Sequence, residues 1–249
     1  MIQPFDPVAA VKYGAFVDAA YAMYDKPESD DPLKQAKDHR IPAEFALVAW
    51  ITMSDFVGQD KLPRFYGYLA QDSNDQKRFV LALRGTEGIV EWWDDFHAIL
   101  TPVTAIPNGG RVSSGFLAIY RTLDIIAVDP AQRQLGGGAD QSFSDKVAAL
   151  AAAKVPEIGG GNPLFDLSQS TVTVTGHSLG AALCTLYVME NAIKNVVRNP
   201  AALYVRLSAR WRCGLRWSFQ RYRAHVVADR QRSRHRAETS AAALRLSAR

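Results

Sequence analysis

Apolar positions along the 249-residue chain recur with two periods, and the period changes from segment to segment. In 7–24 (PVAAVKYGAFVDAAYAMY) and 42–53 (PAEFALVAWITM) they fall three and four apart, and Pro7 and Pro42 suit first-turn positions; both segments are predicted helices. RFYGYLAQD and QKRFVLALRGT, spanning 64–86 around the polar turn QDSNDQ, read as two strands. GFLAIYRTLDIIAV (115–128) and FSDKVAALAAAKV (143–155) return to helical spacing, with the loop signal QLGGGADQS between them. STVTVTGHS is a β-branched strand, GAALCTLYVMENAIKNVV the helix after it, and PAALYV (200–205) opens a further strand. Strands alternating with helices predict an α/β fold with a mostly parallel central sheet and flanking helices. No internal repeat is visible.

The junction of STVTVTGHS with its helix carries the chemistry. Gly176-His177-Ser178-Leu179-Gly180 is a G-x-S-x-G element with a strand before it and a helix after it. A serine on so sharp a turn presents its hydroxyl at the sheet edge, beside backbone N–H groups of a helix N-terminus that can stabilise negative charge. Side chains two residues to either side would collide with neighbouring backbone, which is why glycines stand there. His177 faces away from so tight a turn and is expected to be structural rather than the base.

Other segments make the pattern specific. Arg84-Gly85-Thr86 closes an apolar strand; GIVEWWDDF (88–96), GGRVSSGFLAIY and VTVTGHSLGAALC follow in that order. Together they resemble the class 3, fungal-type triacylglycerol lipase family over about residues 60–204. The resemblance implies an α/β-hydrolase fold and ester hydrolysis through an acyl-enzyme, with lipid or ester substrate met at an oil–water interface. It implies neither a metal nor an organic cofactor. Ser178 matches the nucleophile, while Thr86 and Leu179 match the residues of the oxyanion hole. Ile89, Val90, Trp92 and Trp93 match a short helical lid, and as a dense apolar group flanked by Glu91, Asp94 and Asp95 they can lie on lipid. Ser113 stands where the family usually has a histidine.

Charge then changes the picture. Residues 205–249 hold twelve arginines, no lysine and only Asp229 and Glu238 as acids, a net of +10. The remaining residues carry a net of −6. So abrupt a shift marks a boundary: 1–204 reads as the lipase-like domain, its C-terminal part incomplete, and 205–249 as an arginine-rich tail, disordered or poorly packed. In the family an acid and then a histidine follow the serine. The only histidines after Ser178 are His225 and His235, and with Asp229 they make a poor triad, because too little chain separates them.

A displaced reading frame explains the tail better. Read one base further along from Tyr204, the codons for 204–213 permit T-F-G-S-P-R-V-G-D, and the single codon of Trp211 forces the glycine. Ala228 through Arg232 permits R-I-V-N; Arg234 through Glu238 permits D-I-V-P, then K-L-P. These strings are what the family carries after its elbow, and the aspartate slot lies across Arg234 and His235. The catalytic acid is then lost and the histidine is expected beyond Arg249, so turnover by this chain is expected to be greatly reduced. The alternative is a non-catalytic remnant whose basic tail, with Trp211, Trp217 and Tyr222 interleaved, binds polyanions; a specific nucleic-acid partner is not expected. No apolar run reaches membrane-spanning length, and the N-terminus lacks a secretory pattern, which by default points to the cytoplasm. Cys184, in an apolar helical run, is expected to be a core residue.

Overall fold

The computed structural model describes residues 7–24, 40–54, 63–85, 100–102, 111–136, 141–154, 170–194 and 202–206. Helix α1 is Pro7–Met23, followed by β1 (Phe45–Ser54), β2 (Pro63–Asp72) and β3 (Arg78–Leu83). Strands β4 (Leu100–Pro102) and β5 (Arg111–Ser113) form a small ladder before α2 (Ser114–Tyr120) and β6 (Asp124–Ala127). A 3-10 turn (Pro130–Gly136), α3 (Phe143–Lys154), β7 (Thr171–His177), α4 (Leu179–Lys194) and β8 (Ala202–Arg206) complete the described chain.

The main sheet has the order β6-β1-β2-β3-β7-β8. Its fold class is the α/β arrangement expected, but the balance of directions differs from a mostly parallel sheet. Among the described residues, strands β6, β1, β2 and β3 pair antiparallel, and β3–β7 and β7–β8 pair parallel. The cause is local. The chain between β2 and β3 is a short polar turn, where Asp72 Oδ1 accepts from the Asn74 and Asp75 N–H groups. A connection that short can only return antiparallel. The parallel half begins where helices enter between strands, and it carries the elbow.

Two elements differ from the sequence pattern for identifiable reasons. The 42–53 segment is strand β1, not a helix. Its register shifts between Leu47 and Ala49, and again between Ile51 and Thr52, which breaks the period of two. It is also covered on both sides: Phe45 packs with α1, whereas Ala49, Ile51 and Met53 lie in the opposite core. Apolar residues on both faces of a bulged strand imitate helical spacing. The 115–128 segment is split. Helix α2 ends at Tyr120, where Thr122 Oγ1 donates to the Ile119 carbonyl, and Asp124–Ala127 pairs with β1.

Alternation along β3 sorts the two layers. Phe79, Leu81 and Leu83 face α2, α3 and α4; Val80 and Ala82 face α1. Helix α1 buries Phe16, Ala19, Ala20 and Met23, one stripe at three- and four-residue spacing. Its docking is fixed by hydrogen bonds as well as by apolar contact. Tyr68 Oη donates to the Phe16 carbonyl (2.9 Å) and Thr175 Oγ1 to the Tyr13 carbonyl (3.2 Å). Burial pushes the Tyr68 hydroxyl well above its usual range, so it stays a donor.

Cys184 is fully buried in α4, and its Sγ donates to the Thr175 carbonyl (3.4 Å). Burial raises its pKa strongly, leaving almost no thiolate near neutral pH. Iodoacetamide is therefore expected to leave Cys184 unmodified in the folded chain and to alkylate it once denaturant is added. Modification of the folded chain at a free-cysteine rate would contradict this placement.

Candidate active site

Strand β7 and helix α4 meet at Ser178. Its φ of 52° is the one positive φ of a non-glycine residue among the described residues. A left-handed conformation costs an L-residue roughly 1–2 kcal/mol, so the neighbours must hold it. The Ser178 carbonyl accepts from the Ala181 N–H (3.1 Å) and the Ala182 N–H (3.4 Å), which closes the first turn of α4. The glycines remove the remaining obstacles. A β-carbon on Gly176 would lie 2.6 Å from the Gly180 carbonyl carbon and 2.8 Å from the Ala181 nitrogen. One on Gly180 would strike the Arg84 and Leu83 carbonyl oxygens, so the start of α4 presses directly on the end of β3.

That contact brings the RGT segment to the serine. A β-carbon on Gly85 would lie 3.1 Å from Ser178 Cβ, 3.1 Å from His177 Nδ1 and 2.5 Å from the Tyr21 hydroxyl. Tyr21 uses that hydroxyl twice: it accepts from the Gly85 N–H (2.8 Å) and bonds His177 Nδ1 (2.8 Å). The amide can only donate to Tyr21, whereas the direction of the Tyr21–His177 bond follows the tautomer of His177. Arg84 is almost wholly buried at the same place. Its Nε and Nη2 donate to the Phe65 carbonyl (3.2 and 3.1 Å), and Nη1 donates to the Gly85 carbonyl (2.7 Å). The guanidinium carbon lies 3.6 Å from the Tyr24 ring centroid and 4.8 Å from that of Tyr66. Carbonyls and ring faces thus satisfy a cation taken out of water.

Among the residues singled out by sequence, the structure brings together Gly176, His177, Ser178, Leu179, Gly180 and Gly85. Leu179 is the first residue of α4, with a buried side chain, and first-turn amides have no acceptor within their helix. Thr86, the lid residues Ile89, Val90, Trp92 and Trp93, and the tail candidates His225, Asp229 and His235 lie outside the described residues. So does the tail itself beyond Arg206. Ser113 occupies the N-cap position of α2, and its side chain makes no capping hydrogen bond. The sequence reading missed Tyr21 and Tyr24, because no local pattern links α1 to a turn more than 150 residues later.

No group of three or more His, Cys, Asp or Glu side chains gathers among the described residues. No helix among them is long and apolar enough to cross a membrane.

Comparison with known proteins places this geometry in context. Residues 80–214 match the family model described as Lipase (class 3), which is more than half of the chain. Phospholipase A1-II 1 of Oryza sativa subsp. indica is 26% identical over 157 residues, covering 59% of this chain and 35% of its own length. Phospholipase A1-II 3 of the same subspecies is 30% identical over 161 residues, covering 60% and 32%. Phospholipase A(1) DAD1, chloroplastic, of Arabidopsis thaliana is 26% identical over 219 residues, covering 71% and 42%. The chain thus spans about a third of the length of the rice relatives it matches. Among solved structures, the Lip2 lipase of Yarrowia lipolytica aligns at a TM-score of 0.47 and 19% identity, covering 80% of this chain and 58% of that one.

Proposed function

Because the chain belongs to the class 3 lipase family, we propose that it derives from a serine hydrolase of lipid carboxyl esters in which Ser178 is the nucleophile. The observation that carries this reading is the left-handed Ser178 at the β7–α4 junction, packed on the strand end that leads into Thr86. Ser178 Oγ attacks the ester carbonyl carbon, its proton passes to a base, and the alcohol leaves; water then releases the acid from the acyl-enzyme. The backbone N–H groups of Thr86 and Leu179 meet the developing oxyanion. Ile89, Val90, Trp92 and Trp93 form the lid that engages a lipid surface. The names of the plant relatives support a lipid ester as substrate.

The acid of the triad belongs, in this reading, to the segment replaced by a displaced frame, and the histidine is expected after it. The proposed boundary at 204 is one of composition; β8 runs to Arg206 and the family match to residue 214. What remains is a nucleophile and an oxyanion hole without their proton carrier. Mutants of that kind retain about 10³–10⁴-fold catalysis over water. p-Nitrophenyl butyrate should accordingly be cleaved slowly, and the part of that reaction that passes through Ser178 should leave a butyryl group on the peptide containing it, absent from Ser178→Ala. Cleavage with no butyryl adduct on that peptide, or an adduct that persists in Ser178→Ala, would remove Ser178 from the mechanism.

A further inference from the structure

We propose that the last turn of α1 and the buried Arg84 form a clamp that presets the oxyanion loop, with Tyr21 and Arg84 as positioning residues. The inference rests on the assignment of Ser178 and Thr86 above.

The clamp grips one glycine from both ends. The Gly85 N–H donates to the Tyr21 hydroxyl and the Gly85 carbonyl accepts from Arg84 Nη1. That carbonyl shares its peptide plane with the Thr86 nitrogen, and in a planar trans peptide the N–H points opposite the C=O. Fixing the Gly85 oxygen therefore fixes the direction of the next N–H, the one assigned to the oxyanion. A cation on the carbonyl also draws charge from the amide and strengthens that N–H as a donor.

Neither grip is free to drift. Tyr21 lies in the last turn of α1 and Tyr24 just past its end, tied together by the Tyr24 N–H donating to the Tyr21 carbonyl (3.1 Å); one holds Gly85 and the other lies on the Arg84 guanidinium. The helix beneath them is pinned to the sheet through Phe16 and Tyr13. Tyr21 also holds His177, the residue before the nucleophile. A single hydroxyl thus sets the distance between the two halves of the site. Gly85 itself leaves no room for adjustment, since any side chain there would meet Tyr21, His177 and Ser178 together.

The test is the rate at which an alkyl fluorophosphonate modifies Ser178 in the full chain, in alkaline buffer so that hydroxide can take the serine proton. The serine oxygen bonds to phosphorus, fluoride leaves, and the phosphoryl oxygen occupies the oxyanion position. Tyr21→Phe removes one hydroxyl and keeps the ring. It is expected to slow labelling by roughly 10-fold to 100-fold, less than the 10²–10³ seen when an oxyanion donor is deleted outright. Amide hydrogen exchange at Gly85 should accelerate while β7 exchanges as before. Arg84→Lys keeps the charge but loses the fork, and should slow labelling comparably. A purely structural role would lower the melting temperature and leave the labelling rate of the folded fraction unchanged. Unchanged labelling in both variants overturns the clamp and leaves Ser178 in place. An unmodified parent chain overturns the assignment of Ser178, and the clamp with it.

Discussion

Deleting the first base of the Tyr204 codon in the gene, with the DNA after the Arg249 codon kept so that the histidine expected there is read as well, is expected to raise ester turnover by about 10⁴-fold or more. Loss of a triad acid alone costs about 10⁴, and loss of the histidine about 10⁶. In its written frame the chain offers neither at a family position, only an arginine-rich segment with net charge +10. The shifted frame would supply D-I-V-P at the codons of Arg234 through Glu238, and its first residue is the acid. The expected result is a steady-state rate with a burst that Ser178→Ala abolishes. If the frame-shifted gene gives a protein no faster than the parent, the tail is not a displaced lipase segment, and the basic-tail alternative becomes the better account of it. Because the same nucleophile serves both proteins, fluorophosphonate should reach Ser178 in each.

The second large effect concerns the fold. Gly180→Ala is expected to destabilise the chain by about 3 kcal/mol, the upper part of the usual range for an overpacked site. The added methyl would meet the Leu83 and Arg84 carbonyl oxygens. Backbone cannot rotate away as a side chain can, so α4 would have to lift from β3. Lifting it separates Ser178 from Gly85, and labelling of Ser178 should fall even in the fraction that remains folded. For a chain of this size the melting temperature should drop by roughly 6–12 °C. By contrast, Ala182, which is buried on the same helix, should accept Gly at a cost of only about 1 kcal/mol, the ordinary helix penalty. Equal melting temperatures for the parent chain and Gly180→Ala would mean that α4 and β3 are not in contact.

What the sequence made legible was local. A nucleophile on a strand-to-helix turn needs glycines two residues to either side, and that requirement is written in five adjacent letters. Helix α1, hairpin β2–β3, helix α3 and the β7–α4 unit follow from periods of two or three to four confined to one segment. Where both faces of a strand are buried, the signal fades. Bulged β1 carries apolar residues on two faces and so imitates a helix; α2 and β6 merge in the sequence pattern because apolar residues resume directly after the turn at Arg121 and Thr122. The clamp was illegible for another reason. Tyr21 lies at the end of α1, Tyr24 just after it, and their targets follow β3, so only the packed sheet brings them together. Arg84 was visible as part of RGT, yet nothing local says that a guanidinium so placed is buried between tyrosine rings.

The central claim, that Ser178 is a surviving nucleophile set against an oxyanion site, is tested most directly by the intact mass of the chain after exposure to an alkyl fluorophosphonate in alkaline buffer, where hydroxide takes the serine proton, followed by peptide mapping. One phosphonyl group per chain, carried on the peptide that contains Ser178 and absent from Ser178→Ala, is the result this account predicts. An unmodified chain, or an adduct that persists in Ser178→Ala, would contradict it.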